Sequence, residues 1–589
     1  MFIKIMKRIL FLVFTLVFAL FFSLMRTGWT QENAGNDVLE MRKVLDVAET
    51  AEVTELSLSQ KAFYYVRAVQ NYDQNMRRLK RERKPWENYG VRTPADYLYA
   101  LVSTERFFYE NPQHRVDFTS ERVFPPKACT ELLALIREMQ ELSDDSPFQG
   151  NFRWYWGQDT VVDRNAVEFV MQRLLFCWKY RDLMPKSWEK PMREILTSAA
   201  PEVLRRTVNP EYTNIAVLNF SNLILLGEML DQPTLVEEGI RRMERFTFYT
   251  WKNGIHEFSS QTYYATTLEG LEQLWDLSTN RRVKEKVILL LDYWFYSIAL
   301  HYRPDGNWDR KCAGKLVGAT SRTYNYMYGD QYLGYHLGAL GWNKLPPEAS
   351  NITIVTALNT SFRPPRYYGK MWKWSAEQLP ISIVERWGES QKQYRKTWVT
   401  EDFSFGTAGK EYGSFQDQLW LLDWHENLTE NTDKNQKRNT RSYFIPDGRS
   451  DPWGTAREVT NGGHRKALHL NPAWSAVQNG PFARCRVVYD AELVKKFQNE
   501  RPDGRITSVW VLKYPDSYEI TGTATENAAE NATENGDLPR LRLRYGKYEL
   551  CLTLENVRNG QVAEELIPSP DGNAVAWVVA HDVKTGMET

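Results

Sequence analysis

The hydrophobic positions of the chain follow two different periods, and the change between them falls near residue 345. From about residue 37 to residue 342, apolar residues recur at spacings of three and four, as on one face of an α-helix. The clearest segments are 165–180, 216–230, 235–251, 267–277 and 283–300. Pro and Gly separate them, so the pattern predicts successive antiparallel helices joined by short loops, as in an α/α toroid or a helical solenoid.

After Pro346, short segments rich in β-branched and aromatic residues replace the helical pattern. They are 381–387, 396–400, 403–406, 418–424, 485–489 and 508–513. Leu and Tyr alternate with Arg over 541–545, and Leu recurs at every second position after Gly546, which predicts a hairpin with one face in solvent. We therefore expect an N-terminal α/α toroid followed by an antiparallel β-sandwich.

The N-terminus has the pattern of an export signal. Lys4, Lys7 and Arg8 precede an uncharged, almost wholly apolar run at 9–24, and no Cys follows it. This favours a Sec-type signal and a periplasmic or secreted protein, with an uncleaved anchor as the alternative and no other membrane contact. The predicted divisions are a signal peptide at 1–30, a catalytic toroid at 31–345 and a sandwich at 346–589.

Charge and cysteine usage exclude several classes of function. The 74 Lys and Arg balance the 74 Asp and Glu, so no overall basic field would hold nucleic acid. The five Cys are dispersed without a CxxC, and the eight His form no HExxH. We expect no metal and no cofactor, although calcium stays open because its oxygen ligands leave no clear sequence pattern.

Aromatic residues make up 13% of the chain, with 21 Trp, which indicates either core packing or platforms for sugar rings. Trp154 and Trp156 lie in a polar loop with Asn151 and Arg153, where an apolar face stands beside hydrogen-bond donors. We take both Trp residues as candidate substrate-binding residues. The alternative is a loop that its aromatic side chains pack onto the toroid.

Polar residues occur within the apolar helix predicted around 212–222 and at the start of a later helix, in the segment 253–264. Asn214, Asn219 and Asn222 lie on the first, although Asn is unfavourable inside helices. Asn214 is close enough to the start to act as a cap, or its amide binds a carboxylate or hydroxyl. The second segment, 253–264, holds acid, base and donor groups at one helix mouth, or its tyrosines pack in the core. Its candidates are His256, Glu257, Tyr263 and Tyr264.

A further candidate group follows a small, flexible stretch at 318–321. Arg322 precedes three tyrosines at alternate positions, which cannot share one helical face. We expect at least one of them, with Tyr324 as the candidate, to line a cleft with Arg322. His464, in a Gly-Gly-His-Arg stretch, is placed to reach the same cleft from the sandwich.

The order of these motifs resembles that of the α/α-toroid polysaccharide lyases. Tyr-x-Asn at 212–214, Glu-x-x-Ser-x-Thr-Tyr-Tyr at 257–264 and Ser-Arg-x-Tyr at 321–324 precede the strands. This group includes heparinase II/III-like, alginate and chondroitin/hyaluronate lyases, and the similarity covers about residues 150–480. The resemblance implies β-elimination on an anionic, uronic-acid-containing polysaccharide. It implies the catalytic residues Asn214, His256, Tyr264 (or Tyr263) and Arg322.

The implied chemistry suits these residue types. The C5 proton of a uronic acid becomes acidic only when the adjacent carboxylate is neutralised, a role for Asn214 and a cation. Tyrosine has a reference pKa of ~10, so Tyr264 needs the nearby charge of Arg322 to act as the base, and His256 is the competing base. The remaining candidates are assigned to substrate binding: Trp154, Trp156, Glu257, Tyr263, Tyr324 and His464.

Two alternatives from other classes stay open. A glycoside hydrolase on the same toroid would need paired carboxylates ~5–10 Å apart. The available carboxylates are Glu168, Glu257, Asp305, Asp309 and Asp330. A non-catalytic glycan-binding envelope protein would bind without turnover.

Overall fold

The computed structural model describes a large part of the chain in separate segments. They are residues 56–81, 90–115, 126–304, 314–322, 332–333, 335–336, 352–365, 368, 377–413, 417–424, 441–447, 473–489, 505–513, 515–521, 540–554, 562–570, 572 and 574–582. The predicted signal peptide at 1–30 lies outside these segments. Within them, no helix combines the length and the apolar character needed to cross a bilayer.

The N-terminal part is helical, as the spacing of apolar residues predicts. The helices are α1 (Leu58–Arg81), α2 (Arg92–Glu110), α3 (Pro126–Glu138), α4 (Ala166–Lys179), α5 (Glu189–Arg205), α6 (Thr213–Met229), α7 (Pro233–Asn253), α8 (Gln261–Leu277), α9 (Arg281–His301) and α10 (Ile352–Asn359). Helices α2, α4, α6 and α8 pack one on the next as an inner layer, and α3, α5, α7 and α9 pack outside them. Inner helix α6 is buried on every side from residue 213 to 227, whereas outer helix α7 buries one face.

A buried polar group joins the inner helices at their centre. Arg173 of α4 donates to Asp96 of α2 (2.9 Å) and to Glu269 of α8 (3.2 Å). Thr356 of α10 also donates to Glu269 (3.0 Å), and α10 packs against α1 and α2. Helix α10 therefore returns to the first helices and closes a toroid. Because α10 belongs to the helical core, the helical part extends past the boundary expected at residue 346.

The C-terminal part consists of antiparallel strands. A hairpin of β1 (Tyr302–Pro304) and β2 (Gly314–Leu316) precedes them. The later strands are β3 (Ile381–Arg386), β4 (Tyr394–Val399), β5 (Phe403–Ala408), β6 (Trp420–Trp424), β7 (Arg441–Asp447), β8 (Ala473–Asn479), β9 (Phe482–Val488), β10 (Arg505–Lys513), β11 (Ser517–Thr521), β12 (Arg540–Tyr545), β13 (Tyr548–Thr553), β14 (Val562–Pro568) and β15 (Ala574–Asp582). Eight of them form one sheet in the order β14-β15-β10-β7-β6-β5-β4-β3, and β8–β9 and β11–β12–β13 form smaller sheets.

The smaller sheets cover one face of the large sheet. Trp474 of β8 and Leu543 of β12 share a buried core with Trp420 and Trp577 of the large sheet. The predicted hairpin pairs Tyr545 with Tyr548 across the turn, and β12 alternates exposed Arg with buried Leu and Tyr. The predicted fold class, an α/α toroid followed by an antiparallel β-sandwich, is confirmed.

Two loops of the toroid pack directly on the sandwich. Gly254, just after α7, pairs with Trp387 at the end of β3. Its φ is +86°, and a Cβ there would lie 1.8 Å from the carbonyl oxygen of Arg386, so only glycine fits. In the second loop, Thr320 pairs with Gln418. The candidate residues from 254–264 and 318–322 therefore lie at the junction of the two parts.

Candidate active site

Glu257 lies at the centre of a buried polar cluster in the loop between α7 and α8. Its side chain is 1% exposed and accepts hydrogen bonds from the backbone N–H of Asn214 (2.9 Å) and from Asn214 Nδ2 (2.7 and 2.9 Å). Arg322 Nη1 donates to the same carboxylate at 2.8 Å. Asn214 is the second residue of α6, where free backbone N–H groups and the helix dipole favour a negative charge.

The backbone around Arg322 is fixed to the loop that carries Glu257. The backbone N–H and the hydroxyl of Ser321 both donate to the carbonyl of Phe258 (3.1 Å each). Ser260 Oγ donates to the carbonyl of Arg322 (2.8 Å). These bonds place two residues 65 positions apart in sequence within one ion pair.

Tyrosine rings surround the guanidinium of Arg322. It lies 4.5 Å from the ring centre of Tyr263 and 5.7 Å from that of Tyr212, and the side chain is 11% exposed. Burial acts to lower the pKa of Arg322, but Glu257 and the tyrosines outweigh it and raise this pKa, so the charge persists. We call Glu257, Asn214, Arg322 and the adjacent Tyr212, Tyr263 and Tyr412 the Glu257 cluster.

Two tyrosines of this cluster stay protonated at neutral pH. Burial raises the pKa of Tyr412, and Glu257 raises it further while Arg322 opposes. Burial also raises the pKa of Tyr212, against the opposing charge of Arg322. Both side chains are half-buried, so they form a polar aromatic wall beside the ion pair.

His256 borders the cluster through aromatic contacts. Its ring lies 5.2 Å from the ring of Tyr412 and 5.4 Å from that of Trp387, and its Nδ1 is 3.4 Å from Tyr249 Oη. Burial lowers the pKa of His256, with Glu211 opposing, so the imidazole is neutral at pH 7. Whether His256 acts as a base stays a prediction.

Tyr264 does not join the other three expected catalytic residues. It is 1% exposed in the helical core, with its hydroxyl 3.3 Å from Ser297 Oγ, and burial raises its pKa. The expectation that Tyr264 acts beside Arg322 is therefore wrong. Consecutive helix residues point ~100° apart, and Tyr263 rather than Tyr264 faces Arg322. Tyr263 is half-buried and Tyr264 is buried, so of these two tyrosines Tyr263 is the one that a substrate can reach.

The two candidate Trp residues pack partly against the helical core. Trp154 meets Phe169 edge to face at 5.7 Å, whereas the intervening Tyr155 is 42% exposed. This packing agrees with the alternative that aromatic side chains pack the loop onto the toroid. A sugar-binding role for the two Trp residues stays a prediction. Tyr324 and His464 lie outside the described residues.

The other candidate carboxylates do not form a pair around a reaction site in the described segments. Glu168 is fully buried and bound by Asn219 and Asn222. Asp305, Asp309 and Asp330 lie outside the described segments. No group of three His, Cys, Asp or Glu residues suited to a metal occurs in the part of the chain that the structure describes. A surface cavity of 650 Å³ on α3, α4 and α5 contains none of the candidate residues.

Sequence reasoning missed Tyr412 and Trp387, which enter the site from the sandwich. Each stands alone in its segment, without a motif, so no local signal identifies it. Tyr212 was part of the Tyr-x-Asn motif but received no role. Its position directly before α6, beside Asn214, was the available signal.

One protein family and several solved structures are similar to the chain. Residues 143–315 match the family "Domain of unknown function (DUF8769)". No curated protein matches the chain. Similar solved structures include heparinase III (10% identity, TM-score 0.38, covering 93% of this chain and 87% of that one).

Two further similar structures are also lyases. One is chondroitin AC lyase of Streptomyces coelicolor A3 in complex with chondroitin sulphate (12% identity, TM-score 0.37, covering 93% and 80%). The other is a mutant of heparan sulfate lyase HepC from Pedobacter heparinus (11% identity, TM-score 0.33, covering 95% and 88%). The sequence motifs indicated a resemblance to this class, and similarity at this level assigns no activity.

Proposed function

We propose that the chain cleaves an anionic, uronic-acid-containing polysaccharide by β-elimination at the Glu257 cluster. The observation that carries the proposal is the position of Arg322, which Glu257 binds at 2.8 Å and which lies 4.5 Å from Tyr263. A fixed cation beside a reachable tyrosine supplies the two groups that the reaction needs. The N-terminal apolar segment supports a periplasmic or secreted location for this activity.

Arg322 neutralises the uronate carboxylate in this scheme. A preoriented cation at that carboxylate stabilises the charge that develops when the C5 proton leaves. The Arg322 side chain is 11% exposed, so a substrate carboxylate would contact the guanidinium from its exposed side. Since both Asn214 donors are bound to Glu257, Asn214 acts by holding Glu257 rather than by touching the substrate.

Tyr263 carries the proton in this scheme. The charge of Arg322 favours the phenolate form of Tyr263. This phenolate takes the proton from C5 and becomes the hydroxyl, the electron pair of the C5–H bond forms the C4–C5 double bond, and the C4–O4 bond breaks. The same hydroxyl then returns the proton to the departing O4, so atoms and charge balance. A proton-transfer group typically contributes ~10²–10⁴-fold in rate.

The test is a panel of anionic polysaccharides monitored in the ultraviolet for new double bonds. We expect at least one to be cleaved, and Tyr263→Phe to lose ~10²–10⁴-fold in kcat. Tyr180→Phe is the control, since this half-buried tyrosine lies beside Arg106 at the C-terminal end of α4, and it should lose far less. Reducing ends without ultraviolet absorbance would indicate a hydrolase. Binding without turnover across the panel would indicate a glycan-binding protein.

A further inference from the structure

Ser259, two residues after Glu257, has a backbone conformation that a serine rarely adopts. Its φ is +47°, in the left-handed region that favours glycine. A strained residue persists only where surrounding contacts hold it. The contacts of Ser259 therefore determine the path of the loop that delivers Glu257.

One buried residue of the sandwich makes the principal contact. Arg395 of β4, 2% exposed, donates to Ser259 Oγ and, with its other terminal nitrogen, to Glu385 of β3. Glu385 is its direct cross-strand partner, so the ion pair is anchored within the sheet. The guanidinium also lies 5.5 Å from the ring of Phe258. The sheet thus holds the loop through the contacts of Arg395 with Phe258 and Ser259.

Toroid residues complete the enclosure of Ser259. Thr320 Oγ1 donates to the carbonyl of Ser259 at 3.1 Å. The Tyr264 hydroxyl also bonds the Ser259 backbone and lies beside Ser297, to which Arg395 donates at 3.4 Å. The buried position of Tyr264 therefore suits a role in holding the loop.

We propose that Arg395 is a positioning residue that holds Ser259 in the left-handed conformation and thereby places Glu257 against Asn214 and Arg322. If the loop relaxed, the Glu257 carboxylate would leave the start of α6 and Arg322 would lose its partner. The expected loss of turnover rests on the proposed function. The expected change in the conformation of the loop does not.

Hydrogen exchange tests the loop without any substrate. In Arg395→Met, peptides covering 213–220 and 254–262 should exchange faster than in the unaltered protein, because the Asn214 N–H loses its bond to Glu257. Glycine adopts φ +47° without help, so Ser259→Gly in the same chain should restore slow exchange. Wild-type exchange in Arg395→Met, or no recovery on adding Ser259→Gly, would overturn the proposal.

Two further variants keep the test decisive. Ser259→Ala removes only the hydroxyl and retains the Arg395–Glu385 pair. It should also speed exchange of the same peptides, and it takes the place of Arg395→Met in the test if that variant does not fold. Lys547→Met is the control, since Lys547 pairs with Asp402 within the sandwich (2.9 Å), and it should leave the 254–262 peptides unchanged. An equal increase in that control would show a merely structural role and would also contradict the proposal.

Turnover supplies the second readout once a substrate is confirmed. A misplaced catalytic group typically costs about 100-fold, so Arg395→Met should lower kcat by about 10- to 100-fold with a smaller change in KM. Adding Ser259→Gly should recover part of it. If no polysaccharide is cleaved by the unaltered protein, the proposed function fails while the exchange result still decides the role of Arg395.

Discussion

Two buried carboxylates bind asparagine side chains of the same helix, α6, but their surroundings differ. Glu168 accepts hydrogen bonds from Asn219 (2.8 Å) and Asn222 (2.9 Å). Glu257 accepts them from Asn214 (2.7 and 2.9 Å). All three Asn residues of the apolar helix therefore meet a carboxylate of the protein itself.

The difference lies in the distance of the cation and in the side chains around it. Glu168 is fully buried, burial raises its pKa, and Arg206 is 3.8 Å away. Glu257 pairs with Arg322 at 2.8 Å, and half-buried tyrosines surround that arginine. Arg206 and Arg322 are equally exposed (11% each), so the closer contact of Arg322 with its carboxylate and the tyrosines around it distinguish the two clusters.

The largest expected effect comes from removing each carboxylate charge in turn. Glu257→Gln should lower kcat/KM by roughly 10²- to 10³-fold, because Arg322 loses the partner that orients it. Glu168→Gln, the matched change, should leave kcat/KM within about threefold at 25 °C, since no substrate reaches it. Steady-state kinetics on the confirmed polysaccharide measure both. Equal losses in the two variants would remove the distinction between the clusters.

Removing the Glu168 side chain should affect the free energy of unfolding, although it should have little effect on turnover. Glu168→Ala leaves one N–H of the Asn219 amide and one of the Asn222 amide buried without an acceptor, although each amide keeps its bond to a backbone carbonyl. The loss should destabilise the toroid by about 3 kcal/mol. The folded fraction should keep its kcat. Urea unfolding followed by circular dichroism measures the loss. A stable Glu168→Ala protein would show that α4 and α6 do not depend on this cluster.

The sequence predicted those parts of the fold and of the candidate site that depend on interactions between residues close together in the chain. The periods of α6 and of the hairpin at Gly546 are local, so their elements were predicted. Helix α10 was not, because its β-branched residues favour strands and packing against α1 and α2 overrides that preference. The choice between Tyr263 and Tyr264 depends on a rotation of one helical step, which only the packed toroid reveals.

A third buried group, at the junction, should set the acid limit of stability. Burial, and secondarily Arg395, lower the pKa of His301 from 6.5 to about 4. Between these values the unfolded chain binds a proton that the folded chain does not, so stability falls as pH falls. The loss should be about 2 kcal/mol from pH 7 to pH 5.

Replacing His301 tests this pH dependence. His301→Gln should flatten the decline in urea midpoint between pH 7 and pH 5, whereas His114→Gln, away from the junction, should not. Burial also lowers the pKa of His256, so His256 adds to the same decline, and only the difference in slope between His301→Gln and the unaltered protein reports His301. An unchanged slope in His301→Gln would assign the acid sensitivity elsewhere.

The smallest effect concerns the aromatic wall of the Glu257 cluster. Tyr412 lies 5.2 Å from His256 and 6.2 Å from Trp387, and burial followed by Glu257 raises its pKa, so its hydroxyl is a poor source of phenolate. Tyr412→Phe keeps the ring and should change kcat less than about fivefold, far below the ~10²–10⁴-fold expected for a proton-transfer group. Because its ring also packs beside His256, Tyr412→Ala should cost more than Tyr412→Phe. A Tyr412→Phe loss as large as that of Tyr263→Phe would make the wall part of the chemistry and shift the base to the sandwich.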